Sequence, residues 1–367
     1  MEQQKEGLTR FILLGEAQKN KLQMRKATTL ASKKRLLNMS LDGLFKSGAL
    51  STLKYGHRNS LTVLNYHRVD EYSKPGFDTF SPNVSATPAV FSMQMEYVKQ
   101  HYNVVTCDQL VAWLKNKAEL PPYSALITFD DGYHDNLAQA YPILRKNGLS
   151  AVIFLATDYI GKSIPFFWDY VAYCFFHTEK DSVQLSSYEN ISWQNMASRE
   201  KAMLRWINVV KLLPDEEKKD KVNALTEQLN VHVPDGAFKG LCLTWDQVGE
   251  MSNNGMEFGA HTVHHPILTR IALPRAEEEI TNSKYKVESE IRKPVVSFAY
   301  PNGQVGDFSP EIVKLVKQAG FDLAFTLIPG PMKNSAVRKN PLTIRRVFLG
   351  NFDTMPRFAA KLTGLIH

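Results

Sequence analysis

The sequence predicts an α/β domain of barrel type, in which seven or eight strands alternate with helices. Beyond residue 60, short runs of strand-forming residues alternate with longer stretches of helical character, and this alternation is typical of βα units. A chain of 367 residues with 44% hydrophobic content can bury a substantial core. No internal repeat is visible, which argues against a solenoid. An open, doubly wound sheet is the alternative that the same alternation allows.

Short apolar runs are predicted to form the strands. They are residues 61–66, 125–129, 151–156, 256–260, 295–300, 323–327 and 343–348, with a shorter one at 104–106. Most are rich in β-branched, aromatic and other apolar residues, which suits strands of a buried sheet.

Two of the intervening helices have clear end signals. Ser309 is a predicted N-cap, Pro310 occupies the first helical position, and Gly320 lies just past the end. Residues 136–147 carry apolar residues at helical spacing, and Gly148 ends this helix.

Residues 161–245 interrupt the alternation, because they are mostly helical in pattern and highly charged. We expect an insertion between two barrel strands that forms a lid or a satellite subdomain. A surface decoration with no role in the site is the alternative.

The basic character of the chain is concentrated at its N-terminus. Residues 1–60 contain 12 Lys and Arg against 4 Asp and Glu, whereas the other 307 residues carry 32 against 33. We therefore assign residues 1–57 to a basic, helical N-terminal extension, residues 58–350 to the barrel and residues 351–367 to a C-terminal tail. The extension suits contact with an acidic membrane surface or nucleic acid, or packing on its own domain as a solvated arm.

Neither a signal peptide nor a membrane-spanning run is predicted. The first 20 residues hold one short apolar patch, and no apolar run approaches the roughly 18 residues that cross a bilayer. The three cysteines are far apart, which argues against a disulfide framework. These features predict a cytoplasmic protein, with peripheral contact at the inner membrane face through the basic extension.

Four predicted strands end in polar residues that can carry chemistry. Because the carboxyl ends of parallel barrel strands meet at one rim, we expect these residues to lie close together. In chain order they are His67, Asp130, Asp131, His261, His264, His265 and Asn302.

The spacing of the histidines suggests a metal site. His261 and His265 are four residues apart, so one helical turn would place both imidazoles on one face, with His264 pointing elsewhere. Pro266 would end such a turn. Two imidazoles and a carboxylate leave coordination positions open for water and substrate, as a catalytic metal site requires. A structural histidine pair is the alternative.

The adjacent carboxylates Asp130 and Asp131 can divide the remaining work at such a site. One of them would bind the cation, and the other would accept a proton from water that the cation acidifies. An Asp-Gly turn that closes a strand is the alternative.

Two motifs resemble those of a known family. TFDDG at residues 128–132 and HTVHH at residues 261–265 are similar to motifs of the polysaccharide deacetylases of carbohydrate esterase family four. The similarity spans residues 58–350, apart from the insertion. It implies a distorted (β/α)7 barrel that removes acetyl groups from sugars with a divalent metal, usually Zn²⁺, with Co²⁺, Ni²⁺ and Mn²⁺ as alternatives.

The resemblance implies roles for single positions. Asp130 matches the catalytic base, and Asp131, His261 and His265 match the metal ligands.

FAYPNG at residues 298–303 is similar to the family's third motif, which implies substrate or oxyanion contacts at Tyr300 and at the backbone N–H of Asn302. A plain Pro-Asn-Gly turn is the alternative.

The chain departs from the family pattern in two places. The arginine often found before the proline of the third motif is absent, and no histidine except His367 follows His265, so the family's late acid histidine has no counterpart. NYHRV at residues 65–69 is similar to a strand of one family branch whose histidine serves as the acid, which implies this role for His67. A histidine bonded to a loop carbonyl at the barrel rim is the alternative.

Two further residues are assigned to the site. Arg345 and Arg346 point to opposite faces of the last strand, and we expect Arg346 to face inward and to hold Asp130 ionised. Trp168 lies in a segment similar to an aromatic stretch that this family branch carries near the substrate cleft, which implies stacking on a sugar. Core packing of the insertion is the alternative.

These features predict a metal-dependent hydrolase that removes N-acetyl groups from a saccharide or glycan precursor. A metal-dependent hydrolase of a non-sugar amide and a catalytically silent carbohydrate-binding homologue are the alternatives. The expected partner is an N-acetylated saccharide, in lipid-linked form if the basic extension contacts a membrane. No nucleic-acid partner is expected.

Overall fold

The computed structural model describes residues 35–367. The chain divides after Thr52 into two compact units. In the first, residues 35–46 are helical. Most of the predicted extension, residues 1–57, lies outside the described residues, so its contact with a membrane stays a prediction.

Seven parallel strands form the centre of the second unit and close into a barrel. They are β1 (Ser60–Tyr66), β2 (Ser124–Phe129), β3 (Val152–Leu155), β4 (Glu257–Ala260), β5 (Ser297–Ala299), β6 (Leu323–Pro329) and β7 (Ile344–Phe348). Each strand pairs with its neighbours in sequence, and β1 pairs with both β7 and β2. The pairing of the first and last strands excludes the open sheet and confirms the predicted barrel.

The barrel is distorted because the number of paired residues differs between one pair of neighbouring strands and the next. Six residue pairs join β1 to β2, whereas Phe298 and Ala260 are the single pair between β5 and β4. The register between β6 and β7 shifts, and Asn103–Val104 and Met332–Lys333 extend the sheet beside β2 and β1. Of these two added strands, only the first was predicted.

Helices cover the outside of the barrel and form much of the insertion. In the second unit they are α2 (Pro88–His101), α3 (Cys107–Leu114), α4 (Tyr141–Asn147), α5 (Phe167–His177), α6 (Met196–Val210), α7 (Asp215–Asn223), α8 (Leu225–Leu229), α9 (Trp245–Asn253), α10 (Leu273–Ile291), α11 (Pro310–Gln318), α12 (Asn334–Lys339) and α13 (Met355–Leu362). A short helix, α1 (Ala49–Leu53), spans the boundary between the two units. Ser309 caps α11, and Gly148 ends α4 in the left-handed conformation, as their sequence signals indicate.

Successive residues along the barrel strands face opposite sides and belong to two different hydrophobic clusters. Val63, Leu126, Phe154 and Phe325 come from different strands and meet in one cluster inside the barrel. Their sequence neighbours on the opposite strand faces belong to a second cluster, which includes the apolar residues of the surrounding helices. The strands are therefore apolar on both faces, which explains why they appear as continuous hydrophobic runs.

The insertion between β3 and β4 has its own core. Phe175 from α5, Trp206 and Ile207 from α6 and Leu225 from α8 are all buried in it. The segment also contains an antiparallel hairpin, Ser182–Ser186 with Glu189–Ser192, which the sequence analysis did not predict. Its alternation of buried and exposed residues over only four or five positions is a weak signal beside long helical runs.

Beyond the last strand, α13 packs against α2. Its Phe358 is fully buried, and the Phe358 ring meets the ring of Tyr97 on α2 at 5.9 Å. Within residues 35–367, no helix combines the length and apolar character needed to cross a membrane.

Candidate functional site

Asp130 follows β2 directly and is held by an arginine on the last barrel strand. Arg346 Nη1 lies 2.7 Å from Asp130 Oδ1, and Nη2 lies 2.8 Å from Oδ2. Asn65 Nδ2 also donates to Oδ2, at 3.0 Å. Burial would raise the pKa of Asp130, but the guanidinium of Arg346, helped by His261 and His67, outweighs burial and lowers it. Asp130 is therefore an ionised carboxylate with a fixed orientation.

Asp131 lies in very different surroundings. Its backbone has φ +77°, and Gly132 behind it has φ +83°. A Cβ at Gly132 would lie 2.7 Å from Leu155 Cδ2, so a side chain there would collide with the end of β3. Both carboxylate oxygens of Asp131 are buried with no hydrogen-bond donor in the described chain. Burial and the charge of Asp130 raise its pKa well above the usual range.

The loop after β4 brings His261 and His265 together without a helical turn. Thr262 has φ +67° and His265 has φ +56°, both left-handed, so the expected turn of helix is wrong. The Thr262 hydroxyl accepts the His265 N–H at 3.0 Å, which closes the loop. Pro266 disfavours a right-handed helical conformation at the residue before it, and this explains the difference. His264 points away and meets Glu279 Oε1 at 2.8 Å.

Three potential ligand atoms form a small triangle at the barrel rim. His261 Nε2 lies 3.1 Å from His265 Nε2, and these atoms lie 3.6 and 3.4 Å from Asp131 Oδ1. Ligands bound to zinc at about 2.0–2.2 Å in a tetrahedron lie roughly 3.3–3.6 Å from one another. His261 Nδ1 lies 2.7 Å from the carbonyl oxygen of Ala299, which fixes the tautomer and leaves Nε2 available as a ligand. These side chains therefore fit a divalent cation, which would also satisfy the orphaned Asp131 oxygens.

His67 lies beside the carboxylate of Asp130. Its Nε2 is 3.9 Å from Asp130 Oδ2, and its Nδ1 is buried with no partner in the described residues. Burial lowers the pKa of His67 to about 4 despite the nearby Asp130. The imidazole is therefore neutral at pH 7 in this state, and it is not bonded to a loop carbonyl.

Tyr300 and Asn302, from residues 298–303, were predicted to contact the substrate, and only Asn302 lies at the site. Asn302, with φ +61°, lines the same cavity as Asp131, His261 and His265. Tyr300 does not: its hydroxyl donates to the carbonyl of Leu342 at 2.9 Å, and its ring stacks on Phe308 in the outer core. The expectation of a substrate contact through the Tyr300 side chain is thus wrong, because alternation along β5 turns Tyr300 towards the helices.

Trp168 lines the cavity and its ring meets the edge of His265 at 5.0 Å. It stacks on Phe166 at 4.8 Å and donates its indole N–H to Tyr133 Oη at 2.7 Å. Tyr133 in turn donates to buried Asp169 at 2.7 Å. These contacts fix an aromatic wall beside a potential metal ligand.

A buried network supports this wall, and the sequence analysis did not predict it. Arg68 Nε lies 2.7 Å from Asp135 Oδ2, and the guanidinium lies 4.8 Å from the ring centre of Tyr133. Burial raises the pKa of Asp169 to about 6 although Arg68 opposes this. Arg68 lies within the motif at residues 65–69, and Tyr133 and Asp135 follow the motif at residues 128–132 within three positions. This proximity was the only available signal.

One cavity of about 370 Å³ brings together the residues described above that line it, which are His67, Asp130, Asp131, Trp168, His261, His265 and Asn302. Its floor holds Asp130, Asp131 and His261, and part of its wall comes from Trp168 and from helices α6 and α7 of the insertion. The insertion therefore lines the cavity, and its role in the site stays a prediction. The catalytic roles of the individual residues stay predictions.

Comparisons with known proteins agree with the family resemblance of the sequence motifs. The family model described as polysaccharide deacetylase matches residues 117–324. YxkH of Bacillus subtilis is 22% identical over 241 residues, which cover 65% of this chain and 58% of YxkH. The poly-beta-1,6-N-acetyl-D-glucosamine N-deacetylase of Staphylococcus epidermidis is 33% identical over 120 residues, 30% of this chain and 40% of that protein. The chain thus spans about half the length of these relatives.

Solved structures show the same fold. The deacetylase PplD of Streptococcus pyogenes, in complex with acetate, superposes with a TM-score of 0.55 at 17% identity, covering 83% of this chain and 98% of PplD. IcaB from Ammonifex degensii gives 0.51 at 19% identity, with 82% and 96% covered.

Proposed function

Because this chain belongs to the polysaccharide deacetylase family, we propose that it is a metal-dependent hydrolase that removes N-acetyl groups from a saccharide and releases acetate. The observation that carries the proposal is the triangle of Asp131, His261 and His265 beside an ionised Asp130 at the rim of the barrel. When bound there, a divalent cation would act as a Lewis acid towards the acetamide carbonyl and towards water.

Asp130 is proposed as the general base. Its carboxylate would take a proton from the water that attacks the acetyl carbon. Arg346 keeps Asp130 ionised and aims both oxygens, but a carboxylate with a lowered pKa is a weak base. Such a base requires water that is already acidified, and this supports the assignment of a metal to the neighbouring triangle.

His67 is proposed as the general acid. The C–N bond breaks as the sugar nitrogen takes a proton, which leaves acetate and a free amine. A histidine with a pKa of about 4 does not hold this proton in the resting site at pH 7. The proton that Asp130 takes from water would therefore pass to His67, whose Nε2 lies 3.9 Å from Asp130 Oδ2.

The remaining contacts would orient the substrate. Asn302 lines the cavity, and its backbone N–H is proposed to donate to the developing oxyanion. Trp168 offers an aromatic face for a sugar ring. An N-acetylated saccharide is proposed as the substrate because relatives of this chain are named for that class. The cytoplasmic location and a lipid-linked substrate stay predictions.

The test combines metal analysis with acetate release. Purified protein would be assayed for metal per chain, then incubated with N-acetylated saccharides and with small acetamides, with and without chelator. One metal per chain and acetate release from a saccharide that the chelator abolishes and zinc restores are expected. Release from the small amides alone would favour the non-sugar hydrolase, and bound metal without any release would favour a silent homologue.

A further inference from the structure

The insertion places two lysines in the wall of the cavity. Lys211 lies just past the end of α6, and Lys218 lies on α7, and both side chains line the cavity that holds Asp130 and Asp131. Neither residue is part of the catalytic scheme above.

Lys218 is held firmly at this position. Its Nζ lies 2.6 Å from Asp215 Oδ1 and 5.5 Å from the ring centre of Phe167. Asp215 also pairs with Lys219 and Arg275. One carboxylate is thus shared by three cations, and the cluster keeps an excess of positive charge even when the Arg275 partner Glu216 is counted.

Lys211 has no such partner. Its side chain is half-buried, and in the described residues its ammonium makes no hydrogen bond or ion pair. The carboxylates that line the cavity are Asp130 and Asp131, and Asp130 is already paired with Arg346. In the described chain the charge of Lys211 therefore has no ion-pair partner, and the charge of Lys218 is only partly offset, because Asp215 is shared with Lys219 and Arg275.

We propose that this pair, Lys211 and Lys218, binds an anionic group on the saccharide, a phosphate or a carboxylate near the N-acetyl group that is removed. A neutral sugar would leave Lys211 without a counter-charge in a partly enclosed cavity and Lys218 with one carboxylate that it shares with two other cations. An anionic group would pair with both lysines where solvent screening is reduced. The insertion then selects the substrate, while the barrel rim carries the chemistry. This inference rests on the proposed function.

Three probes compare the anionic groups on a matched sugar. They are N,N′-diacetylchitobiose, its 1-phosphate, and the disaccharide of N-acetylglucosamine with N-acetylmuramic acid, which carries a carboxylate. We expect kcat/KM for at least one anionic probe to exceed that of the neutral probe by about tenfold or more, mainly through KM. This preference should weaken as salt is raised.

Variants connect the preference to the lysines. Lys211→Met and Lys218→Met are expected to bring the kcat/KM ratio of anionic to neutral probe close to one, and Lys211→Arg is expected to keep it. Lys201→Met is the matched control, because Lys201 lies on α6 but is exposed and does not line the cavity. Melting curves of each variant check that it is folded.

A binding measurement keeps the inference separate from the proposed activity. Calorimetry with the three probes on the Asp130→Asn background should show that Lys211→Met weakens binding of the preferred anionic probe about tenfold. Equal kcat/KM for all probes, or binding that Lys211→Met leaves unchanged, would overturn the inference while acetate release upholds the deacetylase. Lysine-dependent anion binding without acetate release would instead uphold the anion site and overturn the proposed activity.

Discussion

Asp130 and Asp131 are neighbours in the chain, but their surroundings give them opposite chemistry. Asp130 is paired through both oxygens with Arg346, so its pKa is lowered. Asp131 has no donor in the described chain and lies beside a charged carboxylate, so its pKa is raised. Such divergence within a pair of titratable groups indicates different roles, and it agrees with the proposal that Asp130 is the base and Asp131 a metal ligand.

Asp130→Asn is expected to lower kcat about 10²–10⁴-fold, because an amide cannot accept the proton of the attacking water. Zinc content should stay at the wild-type level, since Asp130 does not belong to the ligand triangle. Acetate release and metal analysis on the same sample check both statements. A variant with wild-type turnover would remove Asp130 from the role of base.

His67 should make stability depend on pH in a defined window. The folded protein keeps this imidazole neutral down to a pKa of about 4, whereas the unfolded chain binds the proton near 6.5. Acidification through this window therefore favours unfolding. In the presence of chelator, lowering the pH from 7 to 4.5 should cost the wild type about 2–3 kcal/mol more unfolding free energy than His67→Gln. Urea denaturation at the two pH values measures this, and parallel losses would contradict the environment described for His67.

At the scale of elements, two loops and the N-terminus of one helix form the candidate site. The turn after β2 places the buried Asp131 carboxylate beside the imidazoles, the turn after β4 brings the two imidazoles together, and the start of α5 supplies Trp168. Tyr133 joins them, because it accepts from Trp168 and donates to Asp169.

Tyr133→Phe is expected to lower the unfolding free energy by about 1–3 kcal/mol, because it leaves the Trp168 indole N–H and the buried Asp169 oxygen without their partner. Tyr123→Phe is the matched control. The hydroxyl of Tyr123 is buried with no hydrogen-bond partner in the described residues, so its removal should be neutral or slightly stabilising. Urea unfolding of both variants checks the contrast, and equal effects would show that the Tyr133 bonds contribute little.

At the scale of the whole molecule, the buried charge of Asp131 lowers the free energy of unfolding, and a bound cation would remove this effect. Without metal, an ionised, buried Asp131 destabilises the folded state, since its pKa is raised relative to the unfolded chain. A metal that binds only the folded protein adds about 2.7 kcal/mol at a free concentration one hundred times its Kd.

The effect of Asp131→Asn on the melting temperature should therefore have opposite signs with chelator and with zinc. With chelator, the variant is expected to melt at a higher temperature than the wild type, because the penalty of the buried charge is gone. With zinc, the wild type should melt higher, because the variant has lost a ligand. Thermal melts under both conditions decide this, and a variant that is less stable in chelator as well would contradict the charge penalty.

Much of the fold could be predicted from local sequence. A strand that is apolar on both faces appears as a continuous run, and Ser309, Gly148 and Gly320 mark helix ends through backbone preferences that need no tertiary contact. The short hairpin at residues 182–192 was missed because its period-two pattern covers few residues. The conformation of the His261–His265 loop was also missed, because left-handed residues other than glycine depend on a specific set of contacts.

The sequence by itself determined the α/β class, the family, and which side chains follow the strand ends, because strand period and chain direction bring these to one rim. The pairing of β1 with β7 decided between a closed barrel and an open sheet. The tertiary structure alone decided which partners the side chains meet. It paired Arg68 with Asp135, turned Tyr300 into the outer core, and set the lysines of the insertion in the cavity wall. These outcomes depend on contacts between residues far apart in the chain, and no local pattern records such contacts.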